Sequence, residues 1–314
     1  MIILDGNSAH ALSAEHTKLS KNDYSFLERF LDVTKANLFF AHGVLIVEGD
    51  GEALLLPAIA RALGLDLAEH GVSIVNVKGT GLRRFSKIFQ RNSEDVEWIA
   101  IPVACLADMD VMPNAAPEIM GLVENDDDPK WNNPKRRWKA LKDMGDTAEL
   151  YTEALATRRA NLKRYDSQNV KTFVADHWTL EYDLARCGMA EDIFEAAQLA
   201  ASHDAICNET ITKEEVLVTA ATKFATLQTE CGNDDELIAI HVYQLFKSKK
   251  ASKAITAQYL ALSLDKKMDV AGFDLAAFRD SLPDYIVASL NHVCGVNASE
   301  LIADEKENPQ IEEG

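Results

Sequence analysis

The apolar positions follow two alternating patterns along the first third of the chain. Continuous apolar runs that end at a glycine or an acidic residue, such as VLIVEG at 44–49, are typical of buried parallel strands. Amphipathic segments, such as 52–63 with Gly64 after it, predict helices closed by a glycine cap. Strands that alternate with helices predict a parallel sheet with right-handed crossovers.

The same patterns predict the remaining elements of this region. Further strands are expected at 72–77, 98–107 and 170–176, and helices at 23–41, 82–89 and 146–165. Ser20 and Asp23 stand at capping-box spacing before the helix at 23–41. Pro102 lacks the backbone N–H of a sheet ladder, so it indicates either an edge strand or a late strand start.

The pattern also divides the chain into parts. It breaks after Asp110 and resumes at Val170, which indicates an insertion, and from Thr179 onward the chain reads as helical. We therefore predict the α/β class: a small mainly parallel sheet flanked by helices, plus an inserted or appended all-helical domain. The predicted parts are a linker segment with a long helix (1–42), the first part of the core (43–113), a basic and mostly helical insertion (114–169), the continued core (170–187), a helical domain (188–250), C-terminal core helices (251–303) and an acidic disordered tail (304–314).

Charge and composition narrow the function classes. The net charge of −18 argues, taken alone, against nucleic-acid binding, because affinity for DNA comes largely from Lys and Arg. Local basic patches and the acidic tail weaken that argument. No apolar run approaches the roughly 20 residues that cross a membrane, and no signal peptide begins the chain, so a cytoplasmic location is expected. The five cysteines form no CxxC pair, which predicts reduced and mostly buried thiols.

Carboxylates follow three of the predicted strands at their carboxyl ends. Glu48 ends the first strand and Glu52 lies four residues later, while Asp108 and Asp110 follow the third. Residues two apart in extended chain point the same way, so both aspartates can face one ion. Glu181 follows the fourth strand. Ligands collect at this edge of parallel sheets, and hard cations such as Mg²⁺ prefer oxygen ligands. Each residue alone is equally explained as a solvated strand end or helix start.

Basic residues cluster in three places and interleave with aromatics in the insertion. The candidates for DNA contacts are Arg83, Arg84, Arg136, Arg137, Arg158 and Arg159. Basic residues beside aromatics suit a nucleic-acid backbone and unpaired bases, and a solvated helix face explains them equally well. Lys253 is predicted to open a helix, where the helix dipole disfavours a cation, and a lysine there can offset charge on a transferring phosphoryl group. The KGTG loop at 78–81 is interpreted either as a tight turn or as a loop that lines the metal site.

Several of these segments together resemble one family. VLIVEGDGEALLLPAIARALG resembles the first motif of the Toprim domain, and VACLADMDV resembles its DxD motif. FLDVTKANLFFAHGVLIVEG is similar to the junction into Toprim in OLD (overcoming lysogenization defect) proteins. WTLEYDLA and SKAITAQYLA resemble later OLD motifs, of the class with a large helical insertion. The resemblance covers about residues 15–265.

The resemblance implies a Toprim core and a nuclease. It implies that the metal ligands are Glu48, Glu52, Asp108, Asp110 and Glu181, and that the catalytic residues are Lys253, Glu48 and Asp108. The cofactors would be two divalent ions, Mg²⁺ or Mn²⁺, with Ca²⁺ able to occupy the site, and the reaction would be nicking and double-strand cleavage of DNA.

The resemblance also implies partners and leaves alternatives open. An N-terminal ABC-type ATPase domain is expected beside this chain, which itself contains no GxxxxGK followed by Ser or Thr. The first helix and the helices at 255–295 leave a homodimer open. The rival interpretations are a topoisomerase- or primase-type Toprim enzyme and a non-catalytic Toprim module for dimerisation or interaction. No nucleophilic tyrosine is indicated, and a decayed site has no need of crowded carboxylates.

Overall fold

The chain forms an α/β core with an extended helical region. The computed structural model describes residues 2–5, 8–31, 36–79, 81–248 and 250–296. The strands are β1 (Ile2–Asp5), β2 (Ser8–Ala11), β3 (Gly43–Val47), β4 (Val72–Asn76), β5 (Val103–Ala107) and β6 (Val170–Val174). Strands β1 and β2 form a small antiparallel sheet, and the other four form a parallel sheet in the order β4-β3-β5-β6.

Helices cover both faces of this sheet and continue beyond it. They are α1 (Lys21–Phe30), α2 (Asp50–Ala62), α3 (Leu82–Ser86), α4 (Ala116–Ile119), α5 (Ala148–Lys163), α6 (Leu180–Leu184), α7 (Ala190–Ala201), α8 (His203–Cys207), α9 (Lys213–Glu230), α10 (Asp235–Lys247), α11 (Lys253–Met268), α12 (Leu275–Asp280) and α13 (Asp284–Cys294). The predicted fold class is confirmed. Among the described residues, no helix is both long enough and apolar enough to cross a membrane.

Alternate residues of the inner strand β3 pack into two different hydrophobic cores. Val44 and Ile46 of β3 join the core that includes residues of α1 and α3. Leu45 and Val47 join the larger core, built with α2, α7, α10, α11 and α13. All four side chains are fully buried. Burial on both faces explains why the sequence of this strand is continuously apolar.

Gly43 is required where α13 crosses β3. A Cβ at this position would lie 2.2 Å from the backbone oxygen of Val293. No side chain can occupy that distance, so only glycine allows the C-terminal helix to approach the sheet this closely. The contact anchors the last helix of the described chain on the core strand that leads to the candidate site.

The first helix is shorter than predicted. Its capping box is confirmed: the Ser20 side chain accepts from the Asp23 backbone, and the Asp23 carboxylate accepts from the Ser20 N–H at 2.9 Å. The helix ends at Phe30 because Leu31 adopts an extended backbone. A 3₁₀ turn at Ala36–Phe40 follows, and residues 32–35 lie outside the described part. The prediction of a continuous helix at 23–41 is therefore wrong.

The third strand also differs from its prediction. It begins at Val103, directly after Pro102, which confirms the late start. It is not an edge strand: β5 pairs with β3 on one side and β6 on the other. The proline is tolerated because it stands just outside the paired residues, where it removes no ladder hydrogen bond.

The long helix of the insertion lies in its second half, and its first half contains only short helical turns. α5 is confirmed close to its predicted position, whereas 114–147 contains α4 and the 3₁₀ turns Pro129–Asn132 and Leu141–Asp143. Prolines and short polar residues there favour turns over a continuous helix. The division of the chain into domains stays a prediction, and the acidic tail at 304–314 lies outside the described residues.

Candidate functional site

The predicted carboxylates lie at one edge of the sheet. Glu48 follows β3 and Asp108 follows β5, and because these neighbouring strands run parallel, both residues stand at the same carboxyl edge. Glu52 lies in the first turn of α2. Glu181 lies in the first turn of α6, the helix that follows β6. The strands and the helices after them therefore bring the predicted ligands to one place.

The turn between β3 and α2 is shaped by glycines. A Cβ on Gly49 would lie 2.6 Å from Oε2 of Glu52, so the Glu52 carboxylate folds back over the turn into space that a side chain would fill. A Cβ on Gly51 would lie 3.6 Å from Oε1 of Glu181. The start of α2 therefore lies directly beside the start of α6, although Glu52 and Glu181 are far apart in the sequence.

Asp108 and Asp110 reach the site by a turn rather than by extended chain. Asp110 has a φ of 56°, in the left-handed region that aspartate tolerates better than most residues. The Met109 and Asp110 N–H groups both donate to the Trp178 carbonyl, at 2.9 and 3.1 Å. The Leu180 N–H donates to Oδ1 of Asp108 at 3.2 Å. Both aspartates line one cleft, but the extended geometry predicted for them was wrong.

Lys253 joins the cluster from the opposite end of the sequence. It opens α11 after the N-cap Ser252, and its Nζ lies 2.8 Å from Oε2 of Glu181. The ammonium also lies 5.0 Å from the ring centroid of Tyr243, within cation–π range. The predicted lysine is thus placed beside a predicted ligand. On the other side of the cluster, Nη2 of Arg158 lies 3.5 Å from Oδ2 of Asp110.

The carboxylates perturb one another electrostatically. Burial raises the pKa of Asp108 well above its usual range, and the charges of Glu181, Glu52 and Asp110 raise it further against the opposing effect of Lys253. Burial raises the pKa of Glu48, with Asp110 and Glu52 adding to the shift. Like charges crowded in a partly buried cleft make such a cluster costly to ionise without added cations.

Glu52 and Lys253 are shifted in the same surroundings. Burial raises the pKa of Glu52, and the nearby charge of Glu181 contributes. For Lys253 burial alone would lower the pKa of the ammonium, but the Glu181 carboxylate and the other acidic groups raise it overall. Lys253 is therefore a fixed cation beside the carboxylates and not a general base.

The shift at Asp108 predicts how the stability of the metal-free protein depends on pH. Below the ordinary pKa of 3.8, Asp108 is protonated in both the folded and the unfolded chain, so its burial as a charged group costs no stability. Above 3.8, Asp108 ionises first in the unfolded chain, and the free energy of unfolding falls until the pH passes the raised pKa of the folded state. Asp108→Asn removes this ionisable group and therefore this loss of stability. We expect the variant to exceed the wild type in free energy of unfolding by a margin that is smallest in acid and grows as the pH rises. Denaturant unfolding at several pH values, in chelator, measures it, with the exposed Asp95→Asn as control; a gain that is constant with pH would contradict the prediction.

A basic and aromatic cleft adjoins the two aspartates. Its volume is about 370 Å³. It is lined by Asp108, Asp110, Met112, Arg137, Trp138, Lys139, Arg158, Trp178, Thr179, Tyr243 and Lys247. Two of the predicted DNA-contact residues, Arg137 and Arg158, are therefore beside the carboxylates, together with two lysines that face the same space.

The other four predicted basic residues make contacts elsewhere. Arg84 lies over the Phe26 ring and pairs with Asp23. Arg83 lies over the Tyr165 ring at 4.9 Å and is exposed. Among the described residues, neither Arg83 nor Arg84 lines the cleft beside the aspartates, and their role in binding DNA stays a prediction.

Arg136 and Arg159 hold the insertion together. Arg136 pairs with Asp143 and lies 4.5 Å from the ring centroid of Trp138. Arg159 donates to the carbonyls of Val174 and Asp176, which ties α5 to the end of β6. Both guanidinium groups thus have partners within the chain. Their role in binding DNA stays a prediction.

The set of side chains fits a divalent cation in chemistry, although not in its present conformation. Among the described residues, no three His, Cys, Asp or Glu side chains are spaced to hold one ion. Lys253 and Arg158 instead occupy carboxylate oxygens of Glu181 and Asp110. Several acidic oxygens at one strand edge, with pKa values raised by burial and mutual repulsion, are the donor set that hard cations take. Side-chain rotation within this cluster would be needed to bind a metal.

Some residues at this site were not predicted from the sequence. Tyr243 and Lys247 come from the middle and end of α10, and Thr179 caps α6 through its hydroxyl. Asn76, at the end of β4, donates to Oδ1 of Asp50 at 2.6 Å, beside the β3–α2 turn. For Asn76 a usable signal was present, because it is a polar residue near the carboxyl end of a predicted strand. The α10 residues are brought in only by the packing of helices, which no local pattern reveals.

Comparison with known proteins identifies a domain in the first part of the core. Residues 39–110 match the family described as overcoming lysogenization defect protein-like, Toprim domain. The match confirms the resemblance inferred from the sequence. It includes Glu48, Glu52, Asp108 and Asp110, whereas Glu181 and Lys253 lie outside it. No curated protein matches the chain.

Solved structures of OLD C-terminal regions are similar to this chain. One from Xanthomonas campestris pv. campestris is 20% identical with a TM-score of 0.41, and the similarity covers 86% of this chain and 100% of that one. One from Burkholderia pseudomallei is 22% identical with a TM-score of 0.38, covering 82% of this chain and 98% of that one.

Proposed function

On the premise that residues 39–110 are an OLD-like Toprim domain, we propose that the chain is a metal-dependent DNA endonuclease. The proposal rests on one observation: two features lie side by side at one edge of the sheet. A cluster of carboxylates with raised pKa values lies there, and a cleft lined by four cations and several aromatic rings opens beside it. Such a cleft suits a phosphate backbone, and the carboxylates suit the cations that activate phosphodiesters.

The proposed metal ligands are Glu48, Glu52, Asp108, Asp110 and Glu181. Divalent ions held there, Mg²⁺ or Mn²⁺, would supply Lewis acidity at the scissile phosphate, and five carboxylates suffice for two ions. Metal binding requires that Glu181 and Asp110 exchange their present cationic partners. Lys253 would then be released from the 2.8 Å contact with Glu181 and be free to stabilise negative charge on the phosphate.

The cleft offers positively charged side chains along which the negatively charged DNA can bind, and this surface is here called the DNA track. Arg137, Lys139 and Lys247 line it without a short carboxylate partner among the contacts of the described residues, so they are the cations most available to phosphates. Trp138 offers an aromatic surface in the same cleft for an unstacked base. Arg158 stands where the track meets Asp110, between the binding surface and the proposed metal site.

Neutralising the cleft tests the DNA track. In the triple variant Arg137→Ser, Lys139→Ser, Lys247→Ser we expect DNA to bind at least about tenfold more weakly, and each phosphate that the protein no longer neutralises should reduce the slope of log affinity against log salt by about 0.9. Fluorescence anisotropy with labelled DNA, in Ca²⁺ and at several salt concentrations, measures both. The control removes the same charge from exposed positions that do not line the cleft, through Lys171→Ser, Lys266→Ser and Arg279→Ser. Equal salt slopes in the two triple variants would exclude the cleft as the track.

The activity itself is tested on supercoiled plasmid. Purified protein with Mg²⁺ or Mn²⁺ is expected to give nicked and then linear product, and excess EDTA should stop the reaction. If neither metal gives any product, with or without an added ATPase domain of the same family, the endonuclease proposal is wrong. Adding that domain matters because the resemblance implies an ATPase partner, which stays a prediction, as does a homodimer.

The second candidate function is a non-catalytic Toprim module for dimerisation or interaction. Two observations favour it: the net charge of −18, and the lack of a preformed three-ligand group among the described residues. A module of this kind should show no metal-specific rise in melting temperature, because only a ligand bound by the native state stabilises it. A nuclease site should show a rise with Mg²⁺ or Mn²⁺ that Asp108→Asn removes.

A further inference from the structure

A thiol, an imidazole and a phenol form a chain of contacts in the helical region. Sγ of Cys207 lies 3.6 Å from Nε2 of His203. Nδ1 of the same imidazole lies 3.0 Å from the hydroxyl of Tyr259. These three residues, here called the thiol relay, share no residue with the carboxylate site or the cleft. A nucleophile beside a base that is itself oriented by a third group is the arrangement that activates thiols in proteins.

The relay is built by two helices. His203 and Cys207 are the first and last residues of α8 and stand four residues apart, so both side chains lie on one face of the helix. Tyr259 belongs to α11 and meets the imidazole nearly edge to face, with ring centroids 5.9 Å apart. The ammonium of Lys213, at the start of α9, lies 5.5 Å from the Tyr259 ring centroid. The imidazole of His203 therefore contacts Tyr259 through one ring nitrogen and Cys207 through the other.

The hydrogen bonds allow the imidazole to take the thiol proton. If Nδ1–H donates to the Tyr259 oxygen, Nε2 carries a lone pair that faces Sγ of Cys207. Burial, with a smaller effect from Cys207, raises the pKa of the Tyr259 hydroxyl, so the phenol stays neutral and can accept this bond. After proton transfer both ring nitrogens are donors, one to the phenol oxygen and one to the thiolate. Both protonation states of His203 are thus satisfied in one geometry.

The other cysteines have no comparable setting. All five lie in described parts of the chain, and of these only Cys207 is exposed. Cys105 and Cys231 are buried, and burial raises the pKa of both thiols. Burial also raises the pKa of Cys187, and raises that of Cys294 to about 11. Because the thiolate is the reactive form, these four are poor nucleophiles and serve as internal references.

We propose that Cys207 is an activated thiol that undergoes exchange with small disulfides, which makes the α8–α11 contact a redox modification site. In this step the thiol proton moves to Nε2 of His203, and the sulfur of Cys207 attacks one sulfur of the incoming disulfide. The new S–S bond forms as the old one breaks, and the second sulfur leaves as a thiolate with the electron pair. The disulfide is the oxidant. The proposal does not depend on the nuclease function.

The test follows the reaction of the full chain with a chromogenic aromatic disulfide at neutral pH. One thiol per chain is expected to react in a fast phase, and mass spectrometry should place the mixed disulfide on Cys207. Cys207→Ser should abolish the fast phase. His203→Asn should slow it at least about tenfold, since a positioned general base contributes rate factors of this size or larger. Tyr259→Phe should slow it less, because the imidazole remains but has no orienting partner.

Controls separate activation from exposure and from unfolding. His16→Asn replaces a histidine far from the relay in sequence and should leave the rate unchanged. Circular dichroism and melting temperature show that each variant is folded, and an alkylating reagent added as a second probe should give the same order of rates. The proposal is overturned if folded His203→Asn reacts as fast as wild type, or if Cys207 reacts no faster than Cys187 and Cys294 do in the native protein.

Discussion

Asp108→Asn should abolish DNA cleavage while making the metal-free protein more stable. The variant keeps the size of the side chain and an oxygen to accept the Leu180 N–H, which lies 3.2 Å from Oδ1 of Asp108. It removes a carboxylate whose ionisation is opposed first by burial and then by Glu181. We expect cleavage to fall by about a thousandfold or more, because a removed ligand takes away charge stabilisation at the reacting phosphate.

The opposite sign of the two effects makes this variant informative. A destabilised or misfolded protein would lose activity and melting temperature together, whereas loss of a metal ligand lowers activity and raises the melting temperature in chelator. Plasmid cleavage and thermal unfolding on the same preparation measure both, with Asp95→Asn as the matched control at an exposed position. Full cleavage by Asp108→Asn would place the reaction elsewhere on the molecule.

Lys253→Met should lower the rate of cleavage by about a hundredfold without weakening metal binding, because a cation aimed at a reacting group contributes an effect of this order. The Lys253 side chain is 41% exposed, so its ion pair with Glu181 contributes little to folding. Single-turnover cleavage at saturating Mg²⁺, together with a metal titration by thermal shift, separates the two quantities.

Two further variants define what the lysine does. Lys266→Met removes an exposed lysine from the same helix and should cleave at the wild-type rate. Lys253→Arg keeps the positive charge but not the compact ammonium, and should recover part of the missing rate. If Lys253→Met lowered metal affinity as much as it lowered the rate, Lys253 would be a structural partner of Glu181 and its assigned role would be wrong.

The sequence was sufficient for elements whose pattern is strong. The apolar run at β3 and the amphipathic repeat of α2 predicted both elements to within a few residues. A strand buried on both faces is apolar at every position, whereas a helix buried on one face has apolar residues at intervals of three or four. The predictions that failed depend on tertiary structure. Pro102 indicated either an edge strand or a late start, and only the pairing of β5 with both β3 and β6 decides between them. The apolar stripe beyond Phe30 did not show that Leu31 leaves the helix.

The sequence predicted which acidic side chains lie near one another, but not how they are arranged. Glu48, Asp108 and Glu181 follow strands, and parallel strands end at one edge, so their proximity follows from the order of elements. The turn at Asp110 required a positive φ that the pattern did not reveal. The cleft depends on α10 packing against the insertion, which brings Tyr243 and Lys247 to the aspartates from far along the chain. No local signal encodes such a contact.

The proposed function depends above all on divalent metal ions held by the carboxylates around Asp108. The most direct test is anomalous diffraction from crystals of the protein grown or soaked in Mn²⁺, compared with crystals of Asp108→Asn treated in the same way. We predict manganese peaks among Glu48, Glu52, Asp108, Asp110 and Glu181 in the wild type, and their absence in the variant. A wild-type crystal that binds manganese elsewhere but shows no peak among these carboxylates would contradict the proposal.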